Sequence, residues 1–563
     1  MNFICLIKDK ISHLIEDSFS VSGEIFKNLE IYLNIDKEES FGDLSCNAAM
    51  ILAKSLKPNP REIATKIKVI LEKDSYFQGI IKSVDIAGPG FINIHLKPQV
   101  WQKVIEELML KREECFVCNE KEQKENYQIE FVSANPTGPL HLGHGRGGII
   151  GDVLSKILKF LGNKVTTEFY INDAGSQMEK LGESLKVRCQ QELKETVDIP
   201  EGGYAGEYMI DLAKECIKEH GNEILEKPLD FFTEYAMIHL LNLQKRDLGD
   251  YGIVFDKWFS EKSLHESGAV EKAIQLLIEK KLAYEKDGAL WFKSTEFGDD
   301  KDRVIKKKDG SLTYIAADIA YHKNKFDRGF TKLIDILGQD HHGYVKRLKA
   351  TMEAIGFRSD NLDVILYQLV TIKKAGEAVR MSKRAGIFTT LREIIDTVGV
   401  DVARFFYLNR KADAHLDFDL EIALKKTDEN PVYYAQYAYV RTGSLLEKAK
   451  EVPELATYVN DLKDGKYDKD VTQQIGHDEI EQLRKIISLE QILFSISKTY
   501  QTHTLAYYTL ELAKHLHNYY ATHRIVDPNN IKTSKLRLLL ITLIRQTLEI
   551  CFDLLGVSKP TRM

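Results

Sequence analysis

The sequence predicts a doubly wound α/β domain built on a parallel sheet, with a smaller α+β block before it and an all-α bundle after it. Three observations carry this. Short apolar runs, Tyr127-Gln-Ile-Glu-Phe-Val132, Val165 to Ile171, Leu333-Ile-Asp-Ile-Leu337 and Val364-Ile-Leu-Tyr367, are separated by helical stretches, the pitch of strand–helix–strand units. Ile149, Ile150, Val153, Leu154, Ile157, Leu158 and Leu161 recur at helical spacing and stop at Gly162. Beyond residue 425 the strand signals cease, and 433–450, 480–500, 506–522 and 534–555 read as amphipathic helices. In such a sheet, ligands bind at the carboxyl ends of the strands.

A chain of 563 residues exceeds one ordinary core. With 44% hydrophobic residues, 29% charged and 12 prolines, it is neither fibrous nor disordered. A net charge of −6 speaks against a general nucleic-acid coat protein but leaves room for a local basic surface. Seven cysteines, at 5, 46, 115, 118, 189, 216 and 551, are odd in number and scattered, which reads as reduced thiols. Cys115-Phe-Val-Cys118 has the spacing of half a zinc knuckle, but no second Cys or His pair follows, so no metal site is expected. The opening apolar run is cut by Lys8-Asp9-Lys10, and Leu538 to Ile544 is far shorter than the ~20 residues that span a bilayer. A soluble, cytoplasmic protein is expected.

Residues 1–110 form a first block. Leu14, Ile15, Phe19 and Ile25 to Ile31 read as helix, and Ile80 to Leu96 alternates like strands around Gly88-Pro-Gly90. Residues 111–126 are crowded with Lys, Glu, Asn and Gln, a linker signal. The α/β domain, with insertions, is expected over 127–425 and the helical domain over 426–563, with a surface loop from Asn460 to Gln473.

Chemistry concentrates in two places. Pro139-Leu-His141-Leu142-Gly143-His144 lies between the first strand and its helix. Unpaired N–H groups and the helix dipole there favour a phosphate chain, and the imidazoles can donate hydrogen bonds as charge builds on it. Far downstream, Val379-Arg380-Met381-Ser382-Lys383-Arg384-Ala-Gly386 places cations and a hydroxyl on a glycine-ended loop, suited to closing over phosphates. Each alone also fits an ordinary loop.

Together and in this order, the two resemble the paired signatures of class I aminoacyl-tRNA synthetases. Longer runs resemble the arginyl family: Phe131-Val-Ser-Ala-Asn-Pro-Thr-Gly-Pro-Leu-His-Leu-Gly-His144, Tyr170-Ile-Asn-Asp-Ala-Gly-Ser-Gln177, Phe255-Asp-Lys-Trp-Phe-Ser-Glu261, Gly338-Gln-Asp-His-His342 and the ending Leu554-Leu-Gly-Val-Ser-Lys-Pro-Thr-Arg-Met563. The resemblance implies a Rossmann-type catalytic domain, an additional tRNA-binding domain at the amino end and a helical anticodon-binding domain. It implies activation of L-arginine by ATP, as its Mg²⁺ complex, and transfer to tRNA(Arg) by a monomer without a permanently bound cofactor.

Residue by residue, it implies catalytic roles for His141, His144 and Lys383. ATP contacts fall on Pro136, Leu142, Gly143, His341, Arg380, Met381 and Ser382. Arginine contacts fall on Tyr314, Asp318 and Glu261 at the guanidinium, and on Asn135 and Gln339 at the α-ammonium end with Glu130 nearby. A planar guanidinium with five donors suits carboxylates in a fork. The second signature departs from the class pattern Lys-Met-Ser-Lys-Ser: Arg380 keeps charge but not an ammonium's geometry. In the helical domain Tyr437, Arg441, Tyr519, Arg524 and Met563 are candidate tRNA contacts, since exposed aromatics stack on splayed bases and cations pair with phosphates. Two rivals stay open: a small-molecule adenylyltransferase of the same nucleotide fold, and a silent paralogue that only binds tRNA.

Overall fold

The computed structural model describes all residues except 1, 2, 23, 24, 26–28, 36, 57, 118–123, 375, 376 and 379–389; of 5 and 378 it describes the backbone alone. The chain folds as two units. One comprises Lys124–Lys425 with Tyr500–His503; the other combines Met1–Gln123 with Lys426–Thr499 and Thr504–Met563.

In the combined unit, β1 (Ile31–Leu33), β2 (Leu44–Cys46), β3 (Ile81–Ala87) and β4 (Phe91–Leu96) form an antiparallel sheet in the order β1-β2-β4-β3. Ile31 opens β1 opposite Cys46, so the helix expected over Ile25 to Ile31 does not extend there; its centre, 26–28, lies outside the described residues. Helix Pro98–Lys111 follows, then a 3₁₀ turn, Arg112–Phe116, with Cys115 and Phe116 buried. The helical part consists of Pro431–Ala449, Pro453–Lys463, His477–Thr499, His503–Thr522 and Ile531–Leu555. Asn460 to Gln473 is a loop only over 464–468. It holds the end of helix Pro453–Lys463 and most of the 3₁₀ segment Lys469–Gln474, because Leu462 and Val471 supply buried anchors in an otherwise polar stretch.

The two ends of the chain share one body. Arg484, on His477–Thr499, pairs with Asp43 and donates to the Asn34 carbonyl at 3.3 Å, and its guanidinium lies 5.9 Å from the Trp101 ring centroid. Gln491 donates to the Ile31 carbonyl at 2.7 Å. Removing one partner of a buried ion pair strands a charge, so this contact specifies its docking.

In the other unit, β5 (Asn126–Glu130), β6 (Lys164–Ile171), β7 (Lys257–Ser260), β11 (Lys332–Gly338) and β12 (Leu362–Tyr367) form a wholly parallel sheet, order β12-β11-β5-β6-β7. The Leu-Ile-Asp-Ile-Leu run of β11 is buried through its centre, as a strand covered on both faces must be. Strand order reverses between β5 and β11, and the crevice beyond their carboxyl ends is where an open α/β sheet takes its ligand. Helix Leu142–Phe160 packs so closely that a Cβ at Gly151 would lie 2.3 Å from the Phe131 ring.

Two small sheets complete this unit. β8 (Ala283–Lys286), β9 (Ala289–Phe292) and β10 (Arg303–Lys306) form an antiparallel insertion. β13 (Val370–Lys374) pairs antiparallel with β14 (Glu377–Ala378) and parallel with β15 (Leu416–Asp419). Among the described residues, no helix is long and apolar enough to cross a membrane.

Candidate active site

After Glu130 ends β5, the backbone at Val132 (φ 68°) and Ser133 (φ 40°) enters the left-handed region, where a β-branched residue is strained and persists only if its surroundings hold it. Ser133 supplies that hold: its hydroxyl donates to Glu130 Oε1 at 3.0 Å and accepts from the Tyr170 N–H at 3.1 Å. The chain then reaches helix Leu142–Phe160, capped by His141.

The two histidines cap the helix reciprocally. His141 Nδ1 accepts from the Gly143 N–H at 3.1 Å, and His144 Nδ1 accepts from the His141 N–H at 3.0 Å. With both Nδ1 atoms acting as acceptors, each neutral ring carries its proton on Nε2. Burial, and then the neighbouring His141, lower His144 to about 4, and burial lowers His141 as well. At neutral pH both rings are neutral N–H donors rather than cations. The Gly143 N–H is already used in the cap, Leu142 is wholly buried, and Pro136 is buried.

A cavity of about 580 Å³ opens at the carboxyl ends of the strands. Seven residues singled out from the sequence line it: Glu130, Asn135, His144, Glu261, Tyr314, Asp318 and His341. Gln339 lies between two of its lining residues, Gly338 and Asp340, in the 3₁₀ turn Gln339–Tyr344. Tyr314 and Asp318 stand one turn apart at the start of helix Tyr314–Asp327, on one face. Asn135 is exposed and donates to Gln177 Oε1 at 3.0 Å.

Asp318 and Glu261 converge in the cavity, and among the described residues neither forms an ion pair with a Lys or Arg. Among the described residues, Asp318 Oδ2 is buried without a hydrogen-bond partner. Burial, reinforced by Glu261 and Glu130 and opposed by His322 and Arg347, lifts the Asp318 carboxyl to about 7. Glu261, buried at the start of helix Glu261–Glu266, is raised by the same loss of water, against a hydrogen bond from Tyr170. His265 Nε2 also lies 3.8 Å from Glu261 Oε1. Carboxylates held out of water favour a bound cation, and a planar one can meet two carboxylates at once.

Glu130 differs, because it is already neutralised from beneath. The fully buried Lys325 reaches Glu130 Oε2 at 2.7 Å and Asp335 Oδ1 at 2.8 Å. Burial works against its charge, yet Asp335 and Glu130 raise its pKa. His322 faces acceptors through both ring nitrogens, Asp335 Oδ2 at 3.0 Å and the Asp318 carbonyl at 2.8 Å. Beside it, Tyr321 and Arg328 hold Glu168 on β6 at 2.7 and 2.9 Å. Sequence reading missed Lys325, His322, Asp335, Glu168, Arg328 and Tyr170. The available signal was charge inside apolar strands: Glu168 in β6 and Asp335 in β11.

Arg380, Met381, Ser382 and Lys383 lie outside the described residues. Thr390, just beyond them, bridges to His141, and the Leu391 N–H donates to the Leu140 carbonyl at 2.9 Å.

In the combined unit, Arg441 lies between two rings, 4.6 Å from Tyr437 and 4.7 Å from Tyr520, and bonds His517 Nδ1 at 2.9 Å. Tyr437 and Tyr520 are 40% and 41% exposed, so this cluster offers stacking faces. Tyr519 does not. It is 3% exposed, its hydroxyl donates to Glu479 at 2.9 Å, and its ring stacks on His523. The expectation of a base contact there is corrected to a core role, with its neighbour Tyr520 facing out. Arg524 and Met563 are exposed.

Three family models match in order: the arginyl tRNA synthetase N terminal domain over 6–96, the class I (R) tRNA synthetase catalytic domain over 105–413 and the DALR anticodon binding domain over 435–563. An arginine–tRNA ligase of Halalkalibacterium halodurans is 42% identical over 538 residues, 95% of this chain and 94% of that one. One of Anoxybacillus flavithermus is 40% identical over 571 residues, covering 100% of both. The solved structure of Thermus thermophilus arginyl-tRNA synthetase superposes with a TM-score of 0.75 over 100% of each chain at 20% identity, a likeness of fold. With every domain matched and relatives similar from end to end, the chain belongs to the arginyl-tRNA synthetase family.

Proposed function

We propose that the chain is an ATP-dependent arginine–tRNA ligase whose amino-acid pocket is the cavity between β5 and β11. The observation that carries this is the buried Asp318 carboxylate oxygen, without a hydrogen-bond partner among the described residues, with Glu261 raised beside it. Two such carboxylates match the fork of a guanidinium, with Tyr314 at the rim and Asn135 and Gln339 toward the α-ammonium. Glu130, tied to Lys325, shapes the floor.

The arginine carboxylate oxygen attacks the α-phosphorus of ATP, supplied as its Mg²⁺ complex. The bond to the bridging oxygen breaks, and pyrophosphate leaves with that electron pair. A terminal ribose hydroxyl of tRNA(Arg) then attacks the arginyl carbonyl and displaces AMP. No protein nucleophile is needed. The neutral Nε2–H groups of His141 and His144 donate to phosphate oxygens, and Lys383 adds positive charge; such preorganised donors act where charge develops. His341, Pro136 and residues 380–382 lie along the nucleotide. Residues 1–110 and 426–563 hold the tRNA, the latter at the anticodon through the Tyr437–Arg441–Tyr520 cluster.

Aminoacylation of total tRNA tests this reading, with arginine set against citrulline, which has nearly the same shape but no charge. Arginine should lead in kcat/KM by roughly 10⁴-fold, as in sites built to hydrogen-bond their substrate, and Asp318→Asn should shrink that lead. Equal use of both amino acids, or no charging at all, would refute it.

A further inference from the structure

Two residues beyond His144 stands Arg146. A basic residue so close to a phosphate-facing signature invites assignment to the nucleotide, but its geometry excludes that. The side chain is wholly buried. Nη1 donates to the Gln368 carbonyl at 2.8 Å and Nη2 to the Lys411 carbonyl at 2.9 Å. These acceptors are 222 and 265 residues away in sequence. Gln368 comes just before β13, the strand that leads toward 379–389, and Lys411 comes just before β15, which pairs with β13.

Other ties converge on the same stretch. The Tyr407 hydroxyl donates to the Leu142 carbonyl at 2.8 Å. Thr390 bridges to His141, and the Leu391 N–H reaches the Leu140 carbonyl. A Cβ at Gly145 would fall 2.7 Å from Leu391 and 3.3 Å from Tyr407, so the glycine lets these elements meet. The chain on both sides of 379–389 is thus referenced to 140–146.

We propose that Arg146 is a positioning residue for adenylate formation, locking the start of the histidine-bearing helix to the β13–β15 frame. The inference rests on the reading of the chain as an arginine–tRNA ligase. A guanidinium suits the task, since its planar fork reaches two carbonyls at once, whereas a lysine offers one nitrogen. Burial pulls its pKa down to about 10, with Tyr407 and Tyr367 working against the fall, so it stays cationic at neutral pH. The donors on His141 and His144 must meet the phosphates in line with the arginine carboxylate, and a misplacement of about 1 Å costs on the order of 10²-fold in rate. Asp318 and Glu261 stand on helices with no part in this frame, so arginine affinity should not follow the rate.

The test uses the full chain with Arg146→Lys and, separately, Tyr407→Phe, which keeps the ring and removes one tie. ATP–pyrophosphate exchange with tRNA present gives kcat, and calorimetry gives the arginine Kd. Arg146→Lys is expected to lose roughly 10²-fold in kcat with the arginine Kd unchanged, and Tyr407→Phe to show the same split more weakly. Wild-type kcat in Arg146→Lys, or an arginine Kd that weakens in step with kcat, would overturn the proposal. Should Arg146→Lys fail to fold, wild-type kcat in Tyr407→Phe overturns it. Absence of exchange in the unaltered protein would sink the ligase reading itself; an active parent with equally active variants sinks only the role of Arg146.

Discussion

The main-chain N–H of His141 donates to Nδ1 of His144 at 3.0 Å, so one nitrogen of the second imidazole is committed to the cap and Nε2 carries the ring's proton. The proposed reading gives that donor a part in the chemistry. The two uses can be separated. Asparagine can accept the same N–H, but its short side chain has no N–H at the Nε2 position. His144→Asn should therefore keep the melting temperature while pyrophosphate exchange falls roughly 10²–10³-fold, the usual cost of one preorganised donor. His144→Ala should lose the rate and also about 1 kcal/mol of stability, the typical worth of a cap. A His144→Asn enzyme with wild-type exchange would remove the donor role.

An arginine held by Asp318 should bind with a pH dependence of definite sign. Folding lifts its carboxyl from the ordinary range to about 7, through burial and then through Glu261 and Glu130. Between pH 4 and 7 the folded chain retains a proton that the unfolded chain has released, so this group's contribution to stability declines as pH rises across that window. A guanidinium pairs with the ionised form alone. Below pH 7 the apparent arginine Kd should weaken by about tenfold per unit, because the competent fraction shrinks accordingly. Calorimetry at pH 6, 7 and 8 in buffers of different ionisation heat should find roughly tenfold weaker binding at pH 6 than at pH 8, with proton release on binding near pH 7. Asp318→Asn should flatten the profile; a flat profile in the unaltered protein would take Asp318 out of the pocket.

Lys325 supports the floor of that pocket. Lys325→Met would leave Glu130 and Asp335 buried without their cation, and breaking a buried pair on one side costs about 3–5 kcal/mol. Urea unfolding should show a lower midpoint for this variant. Partial recovery in Lys325→Met/Glu130→Gln is expected, since one stranded charge is then gone. An unchanged midpoint in the single variant would mean the network bears little of the fold.

What could be read from the chain follows a physical pattern. β11 and helix Leu142–Phe160 were legible because their burial is written into runs and periods of a few residues. The paired histidines were legible because a short motif places them at one helix start. The Lys325 network was not, because its pairs close across 195 and 153 residues and no local pattern encodes such partners. Tyr519 and Tyr520 mark a finer limit: composition says that the helix is aromatic, while its phase, set by neighbours distant in sequence, decides which ring faces water. Likewise, Leu462 and Val471 were too sparse in a polar stretch to announce that it folds.

The contact of Arg484 with Asp43 joins a residue made early on the ribosome to one made more than four hundred residues later. At about 5–20 residues per second, some 15–60 s pass between completion of residue 123 and appearance of residue 426. Throughout that interval Asp43 and Trp101 have no Arg484 to meet, while the whole of 124–425 has time to fold. The catalytic domain therefore has the lead in time, and the body assembled from the two separate stretches closes last. A nascent chain stalled before residue 484 would carry the whole parallel sheet, lacking only the contribution of Tyr500–His503 to its unit, and an amino-terminal sheet still waiting for its other half.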